Sequence, residues 1–147
     1  MKKQELLNKL NSMSSNTLME TLHIEFTDVG KDYLVATMPV NAKVHQPMGI
    51  LHGGATVALA ESVASAAAHI SSGDAAREVR GIEISANHVR SKKEGTVFAT
   101  ARNIHKGRST QLWEVRIEDE EGRLLSVCKM TAIVLPDAGG KGETSHS

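Results

Sequence analysis

Aromatic side chains are scarce: Phe26, Tyr33, Phe98 and Trp113 make up 3% of the chain. That is too few for a stacking platform that binds single-stranded nucleic acid, and it leaves the core to Leu, Ile, Val, Met and Ala. Cysteine occurs once, at Cys128, which excludes an intramolecular disulfide and suits a reducing cytosol. No sign of charge is in excess, since 17 Lys and Arg balance 17 Asp and Glu. A general binder of nucleic acid or anionic membrane needs a net basic surface that this chain lacks. No apolar run reaches the roughly 18 residues of a membrane span, and the first residues, MKKQELLNKLNSM, lack a signal-peptide apolar core. The seven His, at positions 23, 45, 52, 69, 88, 105 and 146, are dispersed without the paired spacing of a metal site, so no metal is expected. The expectation is a cytoplasmic protein with no nucleic-acid and no membrane partner.

At 147 residues the chain makes one domain, large enough to bury about 70% of its unfolded surface. Residues 1–136 are expected to form it, with 137–147 (DAGGKGETSHS) a disordered tail. Leu6, Leu7 and Leu10 predict a helix over 2–13, and Asn16 or Thr17 can cap a short turn through Thr21. Strand patterns over 23–29 and 33–40 flank the turn Gly30, Lys31, Asp32. Gly53 and Gly54 open a long helix that Ser72 and Gly73 stop. Period-two patterns over 80–90, 96–105, 109–118 and 124–135 then read as four strands of an antiparallel meander. The class is α+β, an antiparallel sheet of five to six strands wrapped around one central helix.

That helix lies in an unusual stretch. From Val44 to Gly73, thirty residues, Glu61 is the only formally charged side chain. Ala-rich and apolar all round, the helix reads as buried on most sides, with Glu61, Ser65 and His69 in one stripe at i, i+4 and i+8. Such a stripe alone is an ordinary solvated face, and Gly-Gly ahead of a helix can simply serve a tight entry. Together they permit more: unpaired N–H groups at the helix start favour an oxygen with developing negative charge, and glycine lets it approach. Glu61 follows Gly53 by eight residues, about 12 Å along a straight helix at 1.5 Å per residue. A carbonyl held on Gly53 needs its attacking group at about 3 Å, so one chain cannot supply both. Two antiparallel copies of the helix could, and a hydrolase built this way must be a dimer.

The strings QPMGILHGGATVALAESVASAAAHI, GIEISANHVRSKKEG and HKGRSTQLWEVRIEDEEGRLLSVCKMTAIVL closely resemble the hotdog-fold acyl-CoA thioesterases of the phenylacetate-pathway type. They are most similar to the branch holding dihydroxynaphthoyl-CoA hydrolases and enterobactin proofreading thioesterases. The resemblance covers nearly all of residues 15–135. It implies a single hotdog domain that hydrolyses an acyl-CoA, preferably aromatic, with 1,4-dihydroxy-2-naphthoyl-CoA as a candidate, using water and no cofactor. Glu61 matches the nucleophile or general base, and Gly53 the backbone oxyanion donor from the other subunit. Gln46 and His52 match side chains that orient carbonyl or water, and Ser65 the small hydroxyl residue that fixes water or Glu61. Arg90, Ser109 and Thr110 match residues around pantetheine and nucleotide. A homodimer, pairing further into a homotetramer, is the implied assembly.

His88 beside Arg90 either lines the acyl pocket or is a satisfied core histidine, and His69 has no matched role. In a meander the SKKEG turn neighbours the acidic EDEEG turn, where Lys92 and Lys93 can pair with residues 118–121. The KGRS turn then lies at the other end with Arg77 and Arg80, and Arg108, Ser109 and Thr110 there could take coenzyme A phosphates. Two alternatives stand beside the hydrolase. A hotdog dehydratase uses a different acid and His arrangement that is not found here. A non-catalytic acyl-CoA sensor on the same fold leaves a lone Glu facing a Gly-rich helix start without a purpose.

Overall fold

Why the sheet bends round a helix follows from residue size along α3 (Gly53–Ser71). Its buried face is Leu59, Ala60, Val63, Ala64, Ala67 and Ala68, mostly small side chains that let a sheet approach closely. Facing it are the inward residues of strands β2 (Tyr33–Val40), β4 (Gly95–Lys106), β5 (Thr110–Glu118) and β6 (Leu124–Leu135). Met38, Ala99, Ala101, Val115, Ile117, Cys128 and Met130 are all buried there. Strict alternation in β2, half-buried then buried at every step, gives one face to this core. Full burial of a side chain such as Leu59 or Val63 contributes about 1.5–3 kcal/mol each.

The computed structural model describes residues 2–73 and 78–135. The expected tail at 137–147, and Arg77, lie outside the described residues. Within them the order is α1 (Lys3–Met13), α2 (Leu18–Thr21), β1 (Glu25–Val29), β2, α3, β3 (Glu78–His88), β4, β5, β6. Thr17, not Asn16, caps α2, its hydroxyl accepting the Met19 N–H at 3.2 Å. No helix among the described residues is long and apolar enough to cross a membrane.

All six strands form one antiparallel sheet, ordered β1-β2-β4-β5-β6-β3. The expected four-strand meander is therefore corrected. Only β4, β5 and β6 run as one; β3 bypasses β4 and pairs with β6. The reason is that β4 has two sides, and one is occupied by β2 along the register Tyr33↔Arg102 to Val40↔Gly95. A period-two pattern fixes which face of a strand is buried and is silent on which strand lies beside it. The placement of Arg80 near the KGRS turn survives the correction. Strands β3 and β5 both run antiparallel to β6, so Arg80 and Thr110 flank the same residue, Ile133.

As a result β3 is an edge strand, paired on one side only among the described residues. A bulge between Gly81 and Glu83 turns Ile82 outward, 59% exposed. The face of α3 turned away from the sheet is also open in the single chain. Gly54, Glu61 and His69 are exposed, and Val57, Ala58, Ser62 and Ser65 are half-buried along the same side.

Candidate active site

At the start of α3 the backbone donors can be assigned one by one. His52 is the N-cap, and its Nδ1 accepts the Gly54 N–H at 2.8 Å. The Ala55 and Thr56 N–H groups both donate to the His52 carbonyl, at 3.0 and 3.2 Å. His52 itself donates its N–H to the Val44 carbonyl at 2.8 Å. Among the described residues, the Gly53 N–H is left without a partner, at the positive end of a nineteen-residue helix. His52 thus acts here as the cap that consumes the neighbouring donor. The resemblance implies that His52 lines the reacting centre, but the wall of the adjoining cavity does not include it.

Gly53 is glycine for a packing reason as well. A Cβ there would stand 3.0 Å from His88 Nε2, so the missing side chain makes room for the imidazole. His88 Nδ1 is 2.7 Å from Ser126 Oγ. Around this point opens a cavity of about 410 Å³, within the usual range of small-molecule sites. Its wall brings together Gln46, Gly53, His88 and Arg90 from the expected residues. Ile50, Leu51, Val89 and Leu125 supply an apolar side, and Ser91, Lys92 and Ser126 further polar groups. Met48, in the loop ahead of α3, is 81% exposed and absent from this wall. Gln46 shapes the loop through Oε1, which accepts the Met48 N–H, and through its N–H to the Ile50 carbonyl at 2.8 Å.

Lys92 is held against this wall from outside. Its ammonium donates to Glu120 Oε1 at 2.5 Å, and the Thr96 N–H donates to Oε2 at 2.7 Å. Those two bonds hold the Glu120 carboxyl down at about 2. The Lys92 carbonyl in turn accepts the Leu51 N–H at 2.8 Å, tying the cavity wall to the acidic turn. Lys93 forms no ion pair among the described residues, and its carbonyl meets His45 Nε2 at 2.8 Å.

Glu61 and Ser65 lie further along α3, over the start of β3. Glu61 Oε2 is 3.3 Å from where a Cβ on Gly81 would stand, so the carboxylate rests on a bare stretch of backbone. Ser65 Oγ approaches Met130 Sδ at 3.5 Å. Arg108, Ser109 and Thr110 lie at this same end of the sheet and are exposed. From Ser126, opposite His88, to Ile133, opposite Thr110, is seven residues of strand, about 23 Å. The candidate residues thus form two groups at opposite ends of β3, with Gly53 in one and Glu61 in the other.

The expected basic patch is smaller than the count of cations suggests. Arg80 is paired with Glu78 at 2.6 Å, and Lys106 donates to the Ser71 carbonyl at the C-terminal end of α3. Arg108 has no acidic partner among the described residues. Cys128 is not a candidate nucleophile, because burial pushes its thiol up to about 11. Among the described residues no three His, Cys, Asp or Glu side chains converge as a metal set.

A family model described as Thioesterase superfamily matches residues 48–126, which span the loop at Met48, all of α3, strands β3 to β5 and the start of β6. The 1,4-dihydroxy-2-naphthoyl-CoA hydrolase of Escherichia coli is 42% identical over 134 residues, 91% of this chain and 98% of that protein. The proofreading thioesterase EntH of Cronobacter turicensis is 43% identical over 134 residues, 91% and 97% of the two chains. Among solved structures, a thioesterase from Haemophilus influenzae superposes with a TM-score of 0.88 at 38% identity, covering 95% of this chain and 94% of its own.

Proposed function

The chain belongs to the thioesterase superfamily and is a thioester hydrolase, and from that premise we propose that a carboxylate of one subunit acts on a carbonyl held by the helix start of another. The observation that carries this reading is the Gly53 N–H, unpartnered among the described residues and about 12 Å along the same helix from Glu61. A two-fold rotation that lays two α3 helices antiparallel brings the Glu61 end of one chain to the Gly53 end of the other. The open edge of β3 and the half-exposed stripe of Val57, Ala58 and Ser65 support the same pairing, since both are surfaces left unfinished in one chain. The homodimer is then the catalytic unit, and a homotetramer is not required by the site. Residues 1–136 are taken as one catalytic domain.

In this site Gly53 donates its N–H to the thioester oxygen, where charge grows as the carbonyl is attacked. Glu61 attacks directly or draws a proton from water, and Ser65, one turn on, positions the attacking group. Gln46 lines the pocket beside the carbonyl, while His52 keeps the Gly54 N–H occupied and so leaves Gly53 as the backbone donor at the helix start. The substrate is an acyl-CoA, with the acyl group in the cavity between Ile50, Leu51, Val89 and Leu125. Polar groups at Arg90 and Ser91 suit a hydroxylated aryl group, as in 1,4-dihydroxy-2-naphthoyl-CoA. Arg108, Ser109 and Thr110 of the subunit that brings Glu61 would meet the phosphate end of coenzyme A. The chemistry calls for water and for no redox cofactor.

The test is a hydrolysis panel of dihydroxynaphthoyl-, benzoyl-, phenylacetyl- and long-chain aliphatic CoA, run with wild type and Glu61→Gln. Aryl esters should turn over fastest, and the substitution should lower kcat at least about 100-fold while the fold is kept. Undiminished turnover by Glu61→Gln rejects the assignment.

A further inference from the structure

His88 and Ser126 are register partners on β3 and β6, so their side chains leave the same face of the sheet with Cβ atoms about 5 Å apart. Their contact at 2.7 Å between Nδ1 and Oγ is set by strand pairing. Ser126 is only 3% exposed, and His88 is the one side-chain hydrogen-bond partner of its hydroxyl among the described residues. That decides who donates. If Nδ1 kept the ring proton, the buried hydroxyl hydrogen would have no acceptor and would bear the full desolvation cost of an unpaired donor. With the hydroxyl donating to Nδ1, both groups are satisfied, and the ring proton sits on Nε2. Nε2 is the ring atom nearest Gly53, 3.0 Å from where its Cβ would stand, on the residue whose N–H has no partner among the described residues.

We propose that Ser126 is a positioning residue that holds His88 in its Nε2–H form, so that the imidazole gives the thioester oxygen a second hydrogen bond beside that of Gly53. The inference rests on the reading that Gly53 binds this oxygen. Two donors converging on one oxygen, neither reorganising as charge develops, are what a tetrahedral intermediate requires. Ser126 touches no reacting atom and acts only through the ring.

The experiment joins imidazole 15N spectra, taken at a pH where His88 is neutral, with steady-state kinetics on an aryl-CoA for wild type, Ser126→Ala and Ser126→Thr. In wild type the proton should reside on Nε2. Ser126→Ala should mix the tautomers and lower kcat by roughly tenfold with KM little changed, and Ser126→Thr, which keeps the hydroxyl, should restore most of the rate. A proton on Nδ1 in wild type, or an unchanged kcat in Ser126→Ala, overturns the proposal. The spectrum needs no substrate and no substitution, so it decides the tautomer even if a variant folds poorly. Failure of the underlying reading has its own sign, full turnover by Glu61→Gln.

Discussion

At position 53, stability and activity pull apart. Alanine is the better helix former by up to about 1 kcal/mol, which offsets the cost of moving His88 off Ser126, so Gly53→Ala should leave the melting temperature little changed. Yet its Cβ, 3.0 Å from His88 Nε2, must push the imidazole aside. We expect kcat to fall at least about tenfold, with a crystal structure of the variant showing a displaced His88. A variant with wild-type kcat and an undisturbed ring would contradict that role for the glycine. The chain itself had announced Gly53 and Glu61, one by the Gly-Gly pair and the other by standing alone in a charge-free segment. Ser126 had no such signal. It is an ordinary serine in an alternating strand, and it acquires meaning only through its register partner. The capping role of His52 was also unreadable, because a helix cap and a pocket residue can look alike in sequence.

Elements were legible where a local pattern decides them. Strand β2 runs over Tyr33–Val40 and β6 over Leu124–Leu135 as the alternation requires, and α3 occupies the segment bounded by Gly53 and Ser72. Neighbour choice was not legible, since any antiparallel strand satisfies a period-two pattern equally well. Placing β3 beside β4 hid the contact of His88 with Ser126, although both ends of the sheet were still assigned correctly. The link between β4 and the loop after β3 also carries a pH dependence. Lys92 and the Thr96 N–H hold Glu120 at about 2, below its usual value of 4.5, so the pair stabilises the fold above about 4.5. That contribution fades as pH falls through about 2. Lys92→Met should therefore lower the melting temperature at pH 7, and the gap from wild type should close between about pH 4.5 and 2. A gap that stays constant across that range would show that packing, and not charge, is what the lysine supplies.

On the scale of the whole molecule, the sorting of the site residues into two groups makes a quantitative demand. Glu61→Ala and Gln46→Ala chains should each be nearly inactive alone. Unfolded together and refolded at equal concentration, they form mixed dimers in which one site of two is intact, and the mixture should recover about a quarter of wild-type activity. Recovery of nothing above the two parents would mean that each chain completes its own site. The helix geometry has a consequence for a chain newly made and still alone. On the proposed site, with Gly53 and Glu61 eight residues apart on α3, a folded monomer would hold both halves of the chemistry and perform neither. Catalysis would then be a property of encounter: at high dilution the rate should rise with the square of the chain concentration, and the enzyme should stay silent until it finds its twin.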